Sequence, residues 1–363
     1  MEIVKLTPDN VKLWDEAARR HEGAWAYHLS ELVFAFVALY GARNRSFLIV
    51  ENGRVLAQLP LYLLGRSLQS IEPAGPLLSP ALNYREKRGV MAALVAEVER
   101  LAVQDRAKRI ALQATHLSAG ALAGTERNLL CDLLPNGYLN ASFMLHRCVD
   151  LTKPEAELWN NLKKGTRYLV KRAEKQKLEF ACYDQSNLTP AIMKDFYDAC
   201  VKVCKRGGYQ GALGDFPTFN FRQELIERGL ALLYVIKTEG KIVDYAFILR
   251  YGVAAYYYSG ALEPAYAALE PSHYLHWQIM LDLKKRGDKC YDLGFQDYSS
   301  LYRTADRKSL SISTFKAGFG GDNILLFEVE KPLAPLSFLR AQITRAVRAV
   351  LNKREYFRVA DHE

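Results

Sequence analysis

Phe47-Leu-Ile-Val-Glu-Asn-Gly-Arg-Val-Leu-Ala-Gln-Leu-Pro-Leu-Tyr-Leu63 reads as an apolar strand, a turn at Asn52-Gly53 and a second strand that follows at once. Asn-Gly between two β-rich runs is a strong hairpin signal, because both residues accept the positive φ that a tight two-residue turn needs. The same order returns at Leu232-Leu-Tyr-Val-Ile-Lys-Thr-Glu-Gly-Lys-Ile-Val-Asp-Tyr-Ala-Phe-Ile-Leu249, with Glu239-Gly240 at the turn. A further β-rich run follows each hairpin, residues 70–78 and 254–260, and then a helix, residues 84–106 and 272–286. In the first helix Val90, Leu94, Val98 and Leu101 recur at helical spacing. Short strands close both units, residues 108–112 and 289–293.

Strand, strand, strand, helix, strand therefore appears twice, and a helix-rich segment precedes each copy, residues 8–41 and 154–229. Three strands able to pair as a meander, followed by a helix that crosses to a parallel strand, is the core order of the GNAT acetyltransferase fold. The expected architecture is α/β with mixed sheets, as two tandem GNAT-like domains. Residues 1–150 form the first, which helps to hold an acceptor, and residues 151–330 the second, which carries the transferase cleft. Residues 331–363 remain as a basic amphipathic helix and tail.

Composition fits two cores. The chain has 363 residues, half of them apolar, with charge spread along its whole length. No run approaches the roughly 18 apolar residues that a membrane span requires, and the start has no apolar core behind a basic segment, so a cytoplasmic protein is expected. The six cysteines lie far apart, and the close pair Cys200 and Cys204 has neither a second pair nor a nearby histidine, so no metal is expected. A formal charge of +9 favours anionic partners such as a nucleotide diphosphate, coenzyme A, RNA or a phospholipid surface.

Two segments carry a family likeness. Leu158-Trp-Asn-Asn-Leu-Lys-Lys-Gly-Thr-Arg-Tyr-Leu-Val-Lys-Arg-Ala resembles the signature helix of FemAB-type proteins, with Arg167 and the pair Lys171-Arg172 in its places. Tyr291-Asp-Leu-Gly294 and Phe315-Lys-Ala-Gly-Phe-Gly-Gly321 resemble that family's Tyr-Asp-x-Gly and Phe-Lys-x-x-Phe-Gly-Gly motifs. The chain is thus similar to the FemAB/FemX-like branch of the GNAT superfamily. The resemblance implies an N-acyltransferase that forms an amide by direct attack of an amine on the acyl donor, and two subgroups fit it. One uses acyl-CoA to acylate an amino sugar or related amine in polysaccharide or cell-envelope biosynthesis. The other moves an aminoacyl group from aminoacyl-tRNA to a UDP-linked peptidoglycan precursor. Acyl-CoA is the expected donor, because the chain has no inserted coiled-coil arm. A non-catalytic protein that binds RNA or a nucleotide-sugar is the alternative from another class.

The chemistry needs a placed amine, a route for its proton and donors aimed at the developing oxyanion. Backbone donors are expected where two central parallel strands part, between residues 256–259, which include Tyr258, and 291–293. Lys316 is the expected oxyanion or phosphate partner, with Phe315 beside it. Asp292, at a strand end, is expected to accept a proton or to hold another group in place. Among binding residues, Arg167, Lys171 and Lys175 make one basic stripe for a diphosphate or a tRNA, and His28 lies where family members bind the acceptor. His273 starts the second-copy helix. The Gly-rich pyrophosphate loop of coenzyme A enzymes is missing ahead of that helix, although Ser272 is placed to cap it and leave free N–H groups for an anion. The run 335–358 has Leu336, Leu339, Ile343 and Val347 on one face and arginines elsewhere. It is expected to dock on the second domain, with anionic lipid or RNA as the other partner it suits.

Overall fold

A computed structural model describes residues 1–70, 74–124, 129–140, 144–208, 214–298 and 305–334, and beyond them Leu336, Leu339, Ile343, Thr344 and Val347. In the first half the elements are β1 (Glu2–Lys5), α1 (Val11–Arg19), α2 (Ser30–Tyr40), β2 (Arg43–Asn44), β3 (Phe47–Glu51), β4 (Arg54–Leu59), β5 (Leu61–Leu64), β6 (Ser67–Ser70), β7 (Leu77–Leu78), α3 (Tyr84–Gln104), β8 (Arg109–Gln113), α4 (Ala119–Ala123) and β9 (Leu139–Asn140). Then come β10 (Leu145–Asp150), α5 (Glu155–Asn161), α6 (Lys164–Ala173), β11 (Glu179–Tyr183), α7 (Pro190–Gly207), α8 (Phe216–Phe219), α9 (Phe221–Glu227), β12 (Ala231–Thr238), β13 (Lys241–Tyr251) and β14 (Ala254–Leu262). The last are α10 (Pro271–Lys285), β15 (Cys290–Gln296), α11 (Arg307–Ala317), β16 (Asp322–Leu325) and β17 (Glu328–Pro332).

Both hairpins form where the turn chemistry places them. Asn52 and Gly53 have φ of 50° and 74°, Glu239 and Gly240 of 52° and 74°, the doubly positive pair of a type I′ turn. Helix α3 is fixed at its start by a reciprocal cap, in which Glu86 N–H donates to Asn83 and Asn83 N–H to Glu86. In each half a helix carries the chain to a parallel neighbour: β6 pairs with β8 across α3, and β14 with β15 across α10.

The halves differ in how their strands are shared. The second copy is one continuous sheet, β11-β12-β13-β14-β15-β10-β16. In the first, Pro60 removes a ladder donor between β4 and β5, and the strand passes from a sheet β1-β3-β4-β7 into another, β2-β5-β6-β8-β17-β9. The expected third strand of residues 70–78 is correspondingly two short strands, β6 and β7. Sheet membership also departs from the expected cuts at 150 and 330. β10 precedes residue 151 yet sits between β15 and β16, and β17 returns to pair with β8. The single expected helix after residue 158 is two, α5 and α6, separated by an extended Leu162.

Strand alternation gives the second sheet two covered faces. One packs Tyr234, Ile248, Tyr291, Leu293 and Phe319 against α5, α6 and α10. The opposite face packs Leu233, Phe247, Cys148 and Cys290 against α7 to α9 and against Trp25, Tyr27, Leu32 and Val33 of the first half. The halves are thus joined by a shared apolar core. Among the described residues of the C-terminal run, Leu336, Leu339, Ile343 and Val347 are exposed, so the expected docking of that face on the second domain is not made by them; the rest of the run lies outside the described residues. Among the described residues no helix is long and apolar enough to cross a membrane.

Candidate functional site

The parallel ladder between β14 and β15 consists of Ala254–Cys290, Ala255–Tyr291 and Tyr256–Asp292, and stops there, while both strands continue. Each strand is also irregular on its outer side just past the last pair. The β13 register skips Tyr258, and the β10 register skips residues 293 and 294. Bulges at these points bend the strands apart, and an opening results at the place expected from the sequence.

Asp292 closes the base of the opening and is fully buried. Its Oδ1 accepts the Gly294 N–H at 2.7 Å, and its Oδ2 accepts from His146 Nδ1 at 2.8 Å and His116 Nε2 at 2.9 Å. Burial by itself raises this carboxyl, but the charge and hydrogen bonds of the two histidines more than offset it and hold Asp292 below the usual carboxylate range. Of the two expected roles, the geometry gives Asp292 the second: it orients two imidazoles. A carboxylate at His146 Nδ1 fixes the tautomer and leaves Nε2 with the lone pair. For His116 the remaining nitrogen is Nδ1, which is buried without a partner. The rings meet edge to face at 4.9 Å, and His146 stacks on Tyr256 at 6.0 Å.

Lys316 stands in the last turn of α11, on a helix rather than after a strand end. Its Nζ donates to Phe295 O at 2.9 Å, and burial pushes its ammonium down to about 8, with Asp292 opposing that shift. Gly294 has φ of +85°, and a Cβ there would lie 3.3 Å from Lys316 Nζ and 3.5 Å from the Tyr256 ring, so a side chain at this position would crowd the opening. The glycines of the Phe-Lys-x-x-Phe-Gly-Gly stretch serve internal packing instead: a Cβ at Gly321 would meet Cys148 O and one at Gly318 the Thr166 hydroxyl.

The other expected binding residues divide between the two faces. Tyr258 is at the β14 bulge on the face toward the first half. Arg167, Lys171, Ser272, His273 and Phe315 gather around α6 and α10, on the opposite face. There Arg167 donates to Asn160 O at 2.7 Å, and Lys171 lies over the Trp159 ring at 5.7 Å. Phe315, partly buried, packs against His273, His276 and Phe319 at the edge of the core. Ser272 does not cap α10. Its hydroxyl donates to Asp244, a buried carboxyl pushed up to about 7, and the capping position is Glu270, at φ 59°, followed by Pro271. Glu270 pairs with His273 at 3.2 Å and with Arg172 at 4.0 Å. His28 is also corrected. Fully buried, it accepts the Trp25 N–H at Nδ1 and donates from Nε2 to Gly75 O, and burial pushes it down to about 4, so both ring nitrogens hold the fold of the first half.

Sequence reading missed His116 and His146. His146 falls before the expected boundary at 150, and its pairing with β15 spans nearly half the chain, so no local pattern announces it. His116, Cys148 and Asp292 are the grouping among the described residues whose ligand atoms, all within 4.8 Å, have metal-binding chemistry. The Cys290 hydrogen bond, burial and the Asp292 charge keep the Cys148 thiol well above its usual value, however, and the bonds named above engage both carboxylate oxygens without a cation.

Comparison with known proteins agrees with this geometry. Residues 160–302 match the family profile described as the acetyltransferase (GNAT) domain. The chain has a tandem GNAT fold. It is similar over 93% of its length to 99% of the crystal structure of FemX, with TM-score 0.67 and 17% identity. The L-PGS structure from Bacillus licheniformis aligns over 94% of this chain and 97% of its own, with TM-score 0.61 and 14% identity. A tandem GNAT protein from the clavulanic acid biosynthesis pathway aligns over 91% and 98%, with TM-score 0.53 and 13% identity. No curated protein matches the sequence. The chain thus shares the tandem fold of GNAT acyltransferases, with an acetyltransferase-type domain over residues 160–302.

Proposed function

We propose that this tandem GNAT protein is an N-acyltransferase that takes an aminoacyl group from aminoacyl-tRNA and joins it to an amine in the cleft between its halves. The observation that carries the reading is the opening between β14 and β15, with the His146–Asp292–His116 group on the face toward the first half and Lys316 at its edge. An acceptor amine enters from the first-half face and the acyl donor from the α6–α10 face. The amine nitrogen bonds to the ester carbonyl carbon, and its proton passes to His146 Nε2. Lys316 and backbone N–H groups of the parted strands stabilise the oxyanion. Collapse breaks the bond to the ribose oxygen, which takes the proton from His146. No cofactor and no covalent enzyme intermediate are needed.

The α10 entrance favours tRNA over acyl-CoA. A diphosphate cradle relies on free N–H groups and the positive end of a helix dipole. Here Pro271 lacks an N–H, Glu270 brings a carboxylate to the end, and Asp244 lies beneath. Beside it α6 presents Lys164, Lys171 and Arg172 to solvent, with Lys175 just past its end, a group suited to a polyanion held by charge. The full-length likeness to FemX supports the same choice. Acyl transfer to amino sugars, peptidoglycan-type precursors and simple amines is measured with labelled aminoacyl-tRNA and, in parallel, with acetyl-CoA. The expected result is transfer from the tRNA, falling at least about a hundredfold in His146→Gln. Transfer from acetyl-CoA alone overturns the donor, and a His146→Gln variant of full activity overturns the proton acceptor.

A further inference from the structure

Arg222, in α9, is 3% exposed. Its side chain lies over aromatic rings: the guanidinium carbon is 4.1 Å from the centre of Phe219, 4.8 Å from Phe221 and 5.2 Å from Tyr258. A guanidinium has five N–H donors and keeps its charge at any physiological pH. One of them reaches a carbonyl, that of Phe219 at 3.3 Å, and Nε is buried with no partner at all. Among the described residues no acid pairs with it, and the groups whose charges bear on it are Tyr258, Cys200, Tyr40 and Tyr27. Arg147, whose Nε is likewise buried without a partner, differs in being only partly buried, in donating to Gly321 O at 2.7 Å and in having Asp322 as a neighbouring charge.

Aromatic faces offset part of the cost of burying a cation, but they satisfy none of its in-plane donors. A fork of N–H groups left unmet in the plane matches the two oxygens of a carboxylate or phosphate. Tyr258, against which the guanidinium stacks, is the residue skipped at the β14 bulge, and it faces the first half, as Asp292 and His146 do. We infer that Arg222 is the anchor for an anionic group of the acceptor, a carboxylate or a phosphate, which places the acceptor amine toward the opening between β14 and β15. The word acceptor rests on the acyltransferase reading; the anion site itself does not.

Binding is therefore read without turnover, by calorimetry on the full-length protein at low salt. The probes are a short lysine-containing peptide with a free C-terminal carboxylate, the same peptide amidated, and UDP-N-acetylglucosamine. Arg222→Gln removes the charge, and Arg222→Lys keeps it without the fork; circular dichroism establishes that each is folded. Wild type is expected to bind the free peptide or the UDP-sugar, with Arg222→Gln at least tenfold weaker and Arg222→Lys between them. Preference for the free over the amidated peptide assigns a carboxylate, and binding of the UDP-sugar alone assigns a phosphate. Equal affinity of folded Arg222→Gln and wild type, or no binding of any probe by wild type, overturns the site. Loss of transfer activity with anion binding intact would overturn the enzyme reading and leave the site standing.

Discussion

The two parallel pairs, β6–β8 and β14–β15, start alike and end differently. Each has three paired positions behind a crossover helix. In the first copy the chain itself fills the space past the last pair. Ser70 Oγ accepts the Gln113 N–H at 2.9 Å, and Gly75 packs so closely that a Cβ there would sit 2.4 Å from Gln113 O. In the second copy the strands bulge apart, and Gly294, Lys316 and the Asp292 group surround the gap. On the proposed function, the sealed mouth belongs to a supporting domain and the open one, with its oriented histidine, to the reaction site. The duplicated fold supplied the same frame twice, and side chains at the mouth set the two copies apart.

The largest effect should come from Asp292→Asn. Loss of the carboxylate releases both tautomers, and kcat should fall by about a thousandfold, roughly 4 kcal/mol of transition-state stabilisation. Steady-state rates check this, and a loss under tenfold would make the two copies chemically equivalent. A paired substitution comes next. Gly75→Ala should destabilise the fold by about 3 kcal/mol, because its methyl meets backbone, while leaving kcat within about twofold in the folded fraction. Gly294→Ala, with φ of +85°, should cost about 1–2 kcal/mol of stability and lower kcat through the shifted Lys316. Denaturant melts alongside rates separate the two; equal effects on kcat would mean that the first mouth is also functional.

The smallest expected effect is on stability at Lys316. Its folded value, about 8, lies below the ordinary lysine value of 10.5, so the unfolded chain holds more protons between those pH values and the folded state gains stability as pH rises through them. Lys316→Met removes that cost. The variant should be about 1 kcal/mol more stable than wild type at pH 7, with the difference gone by pH 10.5. Urea melts at both pH values measure it, and a variant less stable at pH 7 would show that the lysine is held by compensating contacts.

Much of this was legible in local sequence. Asn52-Gly53 and Glu239-Gly240 set two hairpins through φ values that few residue pairs accept, and the apolar period of Val90, Leu94, Val98 and Leu101 set a helix whose buried face is made of those residues. The order of elements fixed the GNAT topology, and with it the place where β14 and β15 part. Lys316 and Asp292 lie beside that place, as their motif positions imply. Ser272 was misjudged because a hydroxyl next to a helix start has two possible acceptors in space, and a buried Asp244 took it. His28 was misjudged because burial and two backbone partners, not its position along the chain, decide whether an imidazole is free.

By itself, the sequence determined the two hairpin turns, the two crossover helices and the strand order of the second copy, since each depends on interactions between residues close along the chain. Only the tertiary structure decided that Pro60 carries one strand across two sheets, that β10 and β17 cross the midpoint in opposite directions, and that Arg222 is buried with no acid beside it among the described residues. The joining of His116, His146 and Asp292 belongs to the same class. Those three residues come from three strands or their ends, and what unites them is long-range sheet pairing and one buried carboxylate, which no periodicity records.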